Sequence, residues 1–256
     1  PDGEETTASR QTFITGNAVV KAAAEFVVKL EQGLKENFGL EKANIIYELD
    51  AVNDNLTGQK ISWREVAQKI LPDDSSLRAE YTYIAPKTYP LPEDCTLRLG
   101  DDPERFNIHF AYCFATQAAI VEVDETTGEV KVLKIIAATD LGKTVNPMLY
   151  RNQVEGGVVM GMGYALSEQF IVKEGRIVTD NLAKLKLPKI TQVPEIEVIA
   201  VEDPDPEGPF GAKGMGELPV NPTAPAIANA IYDAIGIRIN SLPITKEKIL
   251  QALKNK

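Results

Sequence analysis

Two long strand-forming runs, Phe110 to Val123 and Val130 to Ala138, flank Asp124-Glu125-Thr126-Thr127-Gly128-Glu129 and commit the middle of this chain to a β-hairpin. Gly128 supplies the positive φ that the loop needs. The rest of the chain must be arranged around that strand pair. Directly downstream, Met148 to Ser167 reads as a helix despite Gly156, Gly157, Gly161 and Gly163. Glycine weakens a helix, so four of them predict close packing of this one on another backbone or on a ligand.

Upstream, Gly16 to Phe38 carries Val19, Ala23, Phe26, Val27, Leu30 and Leu34 at helical spacing, and Gly39 is a natural stop. A short strand is predicted over Asn44 to Leu49, then a short helix opened by Ser62 as N-cap. Tyr81 to Ala85 alternates like a strand. Further strands are predicted at Phe170 to Val172 and Ile196 to Val201, and helices at Ala224 to Ala234 and from Thr245. The order mixes strands and helices without βαβ regularity, which predicts an α+β fold. Pro86, Pro90 and Pro92 open a connecting stretch that runs to Pro103, and a boundary there divides the chain into 1–92 and 93–256.

At 256 residues the chain can bury a sizeable core. Its net charge of -10 argues against nucleic acid as a partner, because phosphate-backbone binding needs a basic face. Cys95 and Cys113 have no metal-ligand spacing, and with His109 as the one histidine they make neither an ordinary zinc site nor an iron-sulfur site. They read as plain thiols of a reducing, cytoplasmic compartment. No apolar run approaches the ~20 residues of a membrane span. The start at Pro1, without Met and without the basic and apolar regions of a signal peptide, predicts a piece excised from a longer chain.

Four segments could carry chemistry. Thr6-Thr7-Ala8-Ser9-Arg10-Gln11-Thr12 sets hydroxyls and an amide just ahead of the first long helix, where free N–H groups favour an anionic or strongly hydrogen-bonding group. Hydroxyl residues there are ordinarily caps, so capping and ligand binding both stand open. Gln153, on the glycine-rich helix, could read a ligand edge or tie down a neighbouring loop. Asp140-Leu141-Gly142 with Asn146-Pro147 reads as an ordinary turn and helix cap.

The fourth is Gly211-Ala212-Lys213-Gly214-Met215-Gly216-Glu217-Leu218-Pro219, three glycines in six residues ending on a carboxylate. Such a loop lets backbone come close to a bound group, and Glu217 is then either a structural cap or a general base. Glu155 is its competitor, but on a helix an ion pair or solvent is the commoner fate of a carboxylate. Lys213 could hold a phosphate as a point charge, although the loop lacks the Gly-x-x-x-x-Gly-Lys-Ser/Thr pattern of a P-loop.

Taken together, Thr7-Ala8-Ser9-Arg10-Gln11-Thr12 with Gly16-Asn17-Ala18-Val19, Asp140-x-Gly142 with Asn146-Pro147, Gln153-Val154-Glu155-Gly156-Gly157, and Gly211 to Glu217 with Pro222-x-Ala224-Pro225-Ala226-Ile227-Ala228-Asn229-Ala230 carry a family resemblance. In order and spacing the chain resembles the C-terminal part of the molybdenum-binding subunit of the xanthine dehydrogenase and aldehyde oxidase family. The resemblance implies the second half of a molybdenum cofactor-binding domain, with mixed sheets and packed helices, 1–92 and 93–256 being portions of its two subdomains.

Position by position, the resemblance makes Glu217 the general base. It puts the backbone of Ala8 near the metal, with Thr7 beside it at the wall of the substrate pocket. Ser9, Gln11, Thr12 and Gln153 become contacts of the pterin, and Lys213, Gly214 and Met215 line the cofactor on the approach to the base. Gln11 stands where some relatives have a hydroxyl residue. The implied reaction hydroxylates a purine, another N-heterocycle or an aldehyde with oxygen from water. Implied cofactors are molybdenum-molybdopterin, with a cytosine dinucleotide form allowed, and iron-sulfur clusters and FAD on partner subunits or domains. The implied partners are the upstream half of the molybdenum subunit and the iron-sulfur and FAD subunits, so this polypeptide alone should be inactive. The competing expectations are a non-catalytic cofactor-binding or assembly module of the same fold, which needs neither Glu217 nor its glycine loop, and a nucleotide-binding enzyme, which lacks its motif.

Overall fold

The computed structural model describes residues 3, 5–70, 78–90 and 108–255. Cys95, Pro92 and the boundary expected between residues 92 and 93 lie outside them. Two compact units are present, one of Ile14–Ala85 and one of Pro1–Phe13 with Pro86–Lys256.

The Ile14–Ala85 unit holds most of helix α1 (Gln11–Phe38), an antiparallel sheet of β1 (Ile45–Tyr47), β2 (Ala51–Asp54) and β3 (Lys60–Ser62), and helix α2 (Trp63–Ile70). Leu30, Leu34, Leu40, Val52, Ile61, Val66 and Ile70 form its core. Of the predicted α1 stripe, Leu30 and Leu34 are buried, whereas Val19, Phe26 and Val27 are exposed, because the core covers only the C-terminal half of the helix. Ser62 caps α2 as its sequence predicts. Its Oγ accepts from the Glu65 N–H at 3.3 Å while Glu65 Oε2 accepts from the Ser62 N–H at 2.9 Å, a reciprocal arrangement that satisfies two otherwise orphaned donors.

The strand expected over Tyr81 to Ala85 does not form. Alternation makes a strand only where a neighbour accepts its backbone hydrogen bonds, and none of the described strands pairs with this segment. Helix α1 also begins at Gln11 rather than Gly16, so Gln11 and Thr12 lie in its first turn instead of ahead of it.

In the other unit, β4 (Ala115–Asp124) and β5 (Glu129–Asp140) form the predicted hairpin, with a bulge at Ile120/Val121, although its first strand starts at Ala115 rather than Phe110. Asp124 fixes its turn by accepting from the Thr126 hydroxyl at 2.6 Å and from the amides of Thr126 and Thr127, which holds its carboxyl at about 2. Gly128 has φ +71° as the loop requires. Helix α3 (Pro147–Leu166) follows, capped by the Asn146 side chain. Then come a small hairpin of β6 (Val172–Lys173) and β7 (Arg176–Ile177), the short helix α4 (Leu182–Leu185), and β8 (Glu195–Val201), which pairs parallel to β5. Helices α5 (Thr223–Ile235) and α6 (Lys246–Lys254) complete an α+β fold.

One face of the β4-β5-β8 sheet carries Val132, Ile135 and Ala137, which pack with Val154, Val158 and Met162 of α3, Ile227, Ile231 and Ile235 of α5, and Ile249 of α6. Each of these side chains larger than alanine contributes roughly 1.5–3 kcal/mol by leaving water. Tyr150 ties α3 to the sheet, its hydroxyl donating to the Ile199 carbonyl at 3.0 Å. This framework fixes the ends of β4, α3 and α5, between which the glycine-rich loop runs.

Candidate active site

The loop from Gly211 to Val220 presents the carboxylate of Glu217 to solvent and holds it from behind. Ser9 does the holding. Its Oγ accepts from the Glu217 N–H at 3.0 Å and donates to Glu217 Oε2 at 3.1 Å, across 208 residues of sequence. Ala8 and Ser9 both sit in the left-handed region, at φ 48° and 56°. Two successive non-glycine residues there cost free energy, and such strain concentrates at functional sites. The strained turn also drives the Ser9 carbonyl against Gly214, where a Cβ would overlap its oxygen. Only glycine fits at 214. On the other side of that residue, the Cys113 thiol donates to the Gly214 carbonyl at 3.1 Å. Burial and the nearby Asp140 carboxylate push this thiol up to about 11, so it remains a neutral donor at physiological pH.

The exit of the loop is fixed by the glycine face of α3. A Cβ at Gly157 would lie 2.7 Å from the Pro219 Cβ, and one at Gly161 would lie 2.5 Å from the Thr223 Cβ. These glycines therefore let α3 approach the segment that follows Glu217. Gln117 of β4 clamps the same segment: its Nε2 donates to the Pro219 carbonyl at 2.7 Å and its Oε1 accepts from the Thr223 hydroxyl at 2.7 Å. Gly156 differs from its neighbours, because, apart from its own stretch of helix, no described residue lies within 4 Å of where its Cβ would be. One turn before Gly157, Gln153 is exposed, and its side chain makes no hydrogen bond among the described residues.

The entrance of the loop is closed by an ion pair. Lys213 Nζ lies 2.9 Å from Asp140 Oδ2, both side chains being 5% exposed, and 3.3 Å from Asp203 Oδ2. Burial opposes the lysine's charge, but its bonds to the two carboxylates outweigh that and hold its ammonium above the usual lysine range. Asp140 Oδ1 also accepts from the Gly142 N–H at 2.8 Å, and Lys213 N–H donates to the Leu141 carbonyl at 2.8 Å. The Asp140-Leu141-Gly142 turn, read from sequence as ordinary, is in fact the clasp of the glycine loop.

The structure thus brings Ala8, Ser9, Gly214 and Glu217 together. It places Met215 against the core, partly buried. The Gln11 amide donates to the carbonyls of Gly3 and Glu5, both at 3.1 Å, and so shapes the arm that carries Thr7 and Ala8. Thr7 and Thr12 are exposed. Glu155 pairs with Arg151 at 2.7 Å, the fate a helical carboxylate ordinarily has. Sequence reasoning missed Gln117, Cys113, Thr223 and the pairing role of Asp140. Gln117 lies on β4, Asp140 on β5, Thr223 on α5 and Cys113 just ahead of β4, and only the fold brings them to the loop.

Among the described residues no group of three or more His, Cys, Asp or Glu side chains could hold a metal ion. A metal carried to Glu217 on an organic ligand would bring its own donors. The exposed amide of Gln153, the hydroxyls of Thr7 and Thr12 and the open side of Gly156 are polar or uncovered groups suited to such a ligand. The model of the molybdopterin cofactor-binding domain matches residues 1–194. The chain belongs to this family. Glu217 lies past the matched stretch, but relatives align over the whole chain.

A probable xanthine dehydrogenase subunit of Bacillus subtilis (strain 168) is 33% identical over 100% of this chain and 32% of its own length. The aldehyde oxidoreductase molybdenum-binding subunit PaoC of Escherichia coli (strain K12) is 41% identical over 55% of this chain and 20% of its own length. Among solved structures, quinoline 2-oxidoreductase from Pseudomonas putida 86 is similar with a TM-score of 0.75 and 25% identity, over 98% of this chain and 31% of that one. The chain therefore spans about a third or less of the relatives it matches. No helix among the described residues is long and apolar enough to cross a membrane.

Proposed function

We propose that this chain contributes the general base, Glu217, to a molybdenum hydroxylase that inserts water-derived oxygen into an electron-poor carbon of a purine, another N-heterocycle or an aldehyde. The observation that carries the reading is the Glu217 carboxylate itself, exposed at the tip of a loop that Ser9, Gly214, Cys113, Gln117 and the glycine face of α3 hold in one geometry. A scaffold has no need of a solvent-facing carboxylate fixed from so many sides. Preorganisation of this kind is what a base needs, since its oxygen must be within hydrogen-bond reach of the proton it takes.

In the overall reaction R–H and water give R–OH, two protons and two electrons. The molybdenum cofactor, when bound, supplies the redox centre that takes the electron pair. Glu217 accepts a proton from the attacking oxygen. Thr7 and Ala8 form the wall beside the reacting atoms. Thr12 and Gln153 hydrogen-bond the pterin, Gln11 holds the arm that leads to it, and Ser9 offers it a backbone N–H, its hydroxyl being taken by Glu217. Gly214 and Met215 line the approach by their backbone, while Lys213 supports them through its pair with Asp140. The cofactor is molybdopterin in either its simple or its cytosine dinucleotide form.

The remaining two thirds of the relatives' length supports a partner role for the upstream half of a molybdenum subunit, which supplies further cofactor contacts and selects substrate. Iron-sulfur and FAD subunits or domains carry the electrons away, because this chain has too few cysteines for a cluster. The test is turnover of the assembled complex against xanthine, hypoxanthine, nicotinate and simple aldehydes, with and without Glu217→Gln. The variant should retain molybdenum and lose about 10²- to 10⁴-fold in rate. Full turnover in the variant removes Glu217 as base. An assembled complex that never holds molybdenum would favour a non-catalytic assembly module.

A further inference from the structure

The Ser9 hydroxyl touches both ends of Glu217, and the two contacts are of opposite sense. It accepts from the backbone N–H at 3.0 Å and donates to side-chain Oε2 at 3.1 Å. A hydroxyl has one proton to give, so with its donation committed to Oε2 its orientation is set by the residue it serves. The carboxylate is thereby folded back over its own amide, which fixes its rotamer. Oε2 is engaged and Oε1 is left as the oxygen free to take a proton.

From this geometry we infer that Ser9 is the positioning residue of the base, selecting Oε1 of Glu217 as the reactive oxygen. The inference rests on the reading of Glu217 as base. The strained backbone at Ala8–Ser9 has a role here, because the left-handed turn aims the Ser9 side chain at Glu217 while its carbonyl packs on Gly214. An exposed Glu side chain otherwise samples several rotamers, and ordering it in advance removes that cost from each turnover.

Ser9→Gly is the discriminating variant. Glycine adopts φ 56° without steric penalty, so the turn and the fold are retained and only the hydroxyl is lost. In the assembled, molybdenum-loaded complex kcat should fall about 10- to 100-fold with KM little changed, the signature of a misplaced catalytic group. Exchange-mass spectrometry on peptides covering Met215 to Pro219 gives a readout independent of turnover. Loss of the Ser9 acceptor should speed exchange of the Glu217 amide about 2- to 10-fold, with the rest of the chain unchanged.

Wild-type kcat together with wild-type exchange in Ser9→Gly overturns the role of Ser9. Faster exchange with wild-type kcat also overturns it, by showing a contact that only supports the loop. Both outcomes are distinct from failure of the base assignment, which would appear as retained turnover in Glu217→Gln.

Discussion

Lys213 Nζ and Asp140 Oδ2 meet at 2.9 Å inside the protein, one from the glycine loop and one from the end of β5, with 5% of either side chain exposed. Lys213 sits four residues before Glu217, and its pair with Asp140 joins the loop to the sheet. Its charges are out of water, so the Asp140 carboxylate depends on the Lys213 ammonium. Lys213→Met should cost about 3–5 kcal/mol, because it strands the Asp140 carboxylate, and urea unfolding of the domain measures this. Adding Asp140→Leu should recover only part of the loss, because Asp140 also accepts the Gly142 N–H. Equal stability of Lys213→Met and wild type would show the pair to be of no structural consequence.

The three glycines Gly156, Gly157 and Gly161 should respond differently to the same substitution. Gly157→Ala and Gly161→Ala push a methyl into Pro219 and Thr223 and should each cost about 1–3 kcal/mol. Gly156→Ala meets nothing within 4 Å and should stabilise the chain by about 0.5–1 kcal/mol, through helix propensity. Molybdenum content of the complex tells the rest. If Gly156 faces the cofactor, its alanine variant binds less metal although the protein is more stable. A variant both more stable and fully loaded would place the cofactor elsewhere.

Cys113 should be slow to react and sensitive to alkali. Its thiol is pushed up to about 11, first by burial and then by the Asp140 carboxylate. The thiolate is the reactive form, so alkylation of the native protein at pH 7.5 should be much slower than that of a free cysteine. The folded state holds this proton more tightly than the unfolded one, so its contribution is intact below the ordinary thiol range and fades as pH rises toward 11. Cys113→Ser should flatten that alkaline loss of stability. Rapid modification of Cys113 at neutral pH would contradict the assignment.

The sequence by itself determined the long helices, the central hairpin and the candidate carboxylate Glu217. Periodicity and turn signals marked α1, the β4–β5 hairpin, α3, α5 and α6, although of the predicted α1 stripe only Leu30 and Leu34 are buried. Turn and cap chemistry at Ser62, Gly128 and Asn146 is local, involving residues within three or four positions, and was therefore legible. The glycines of the 211–217 loop marked a close approach of backbone, although not by what.

Tertiary structure decided the rest. Tyr81 to Ala85 alternates but pairs with no described strand, since a strand exists only through its neighbour. Ser9 and Glu217, Cys113 and Gly214, Gln117 and Thr223, and Asp140 and Lys213 are each separated by 73 to 208 positions. A linear pattern carries no signal for such pairs, because their contact follows from how β4, β5, α3 and α5 stack around one core. Lys213 shows the difference most plainly: its sequence context suggests a charge offered to a ligand, and the fold turns that charge inward to Asp140.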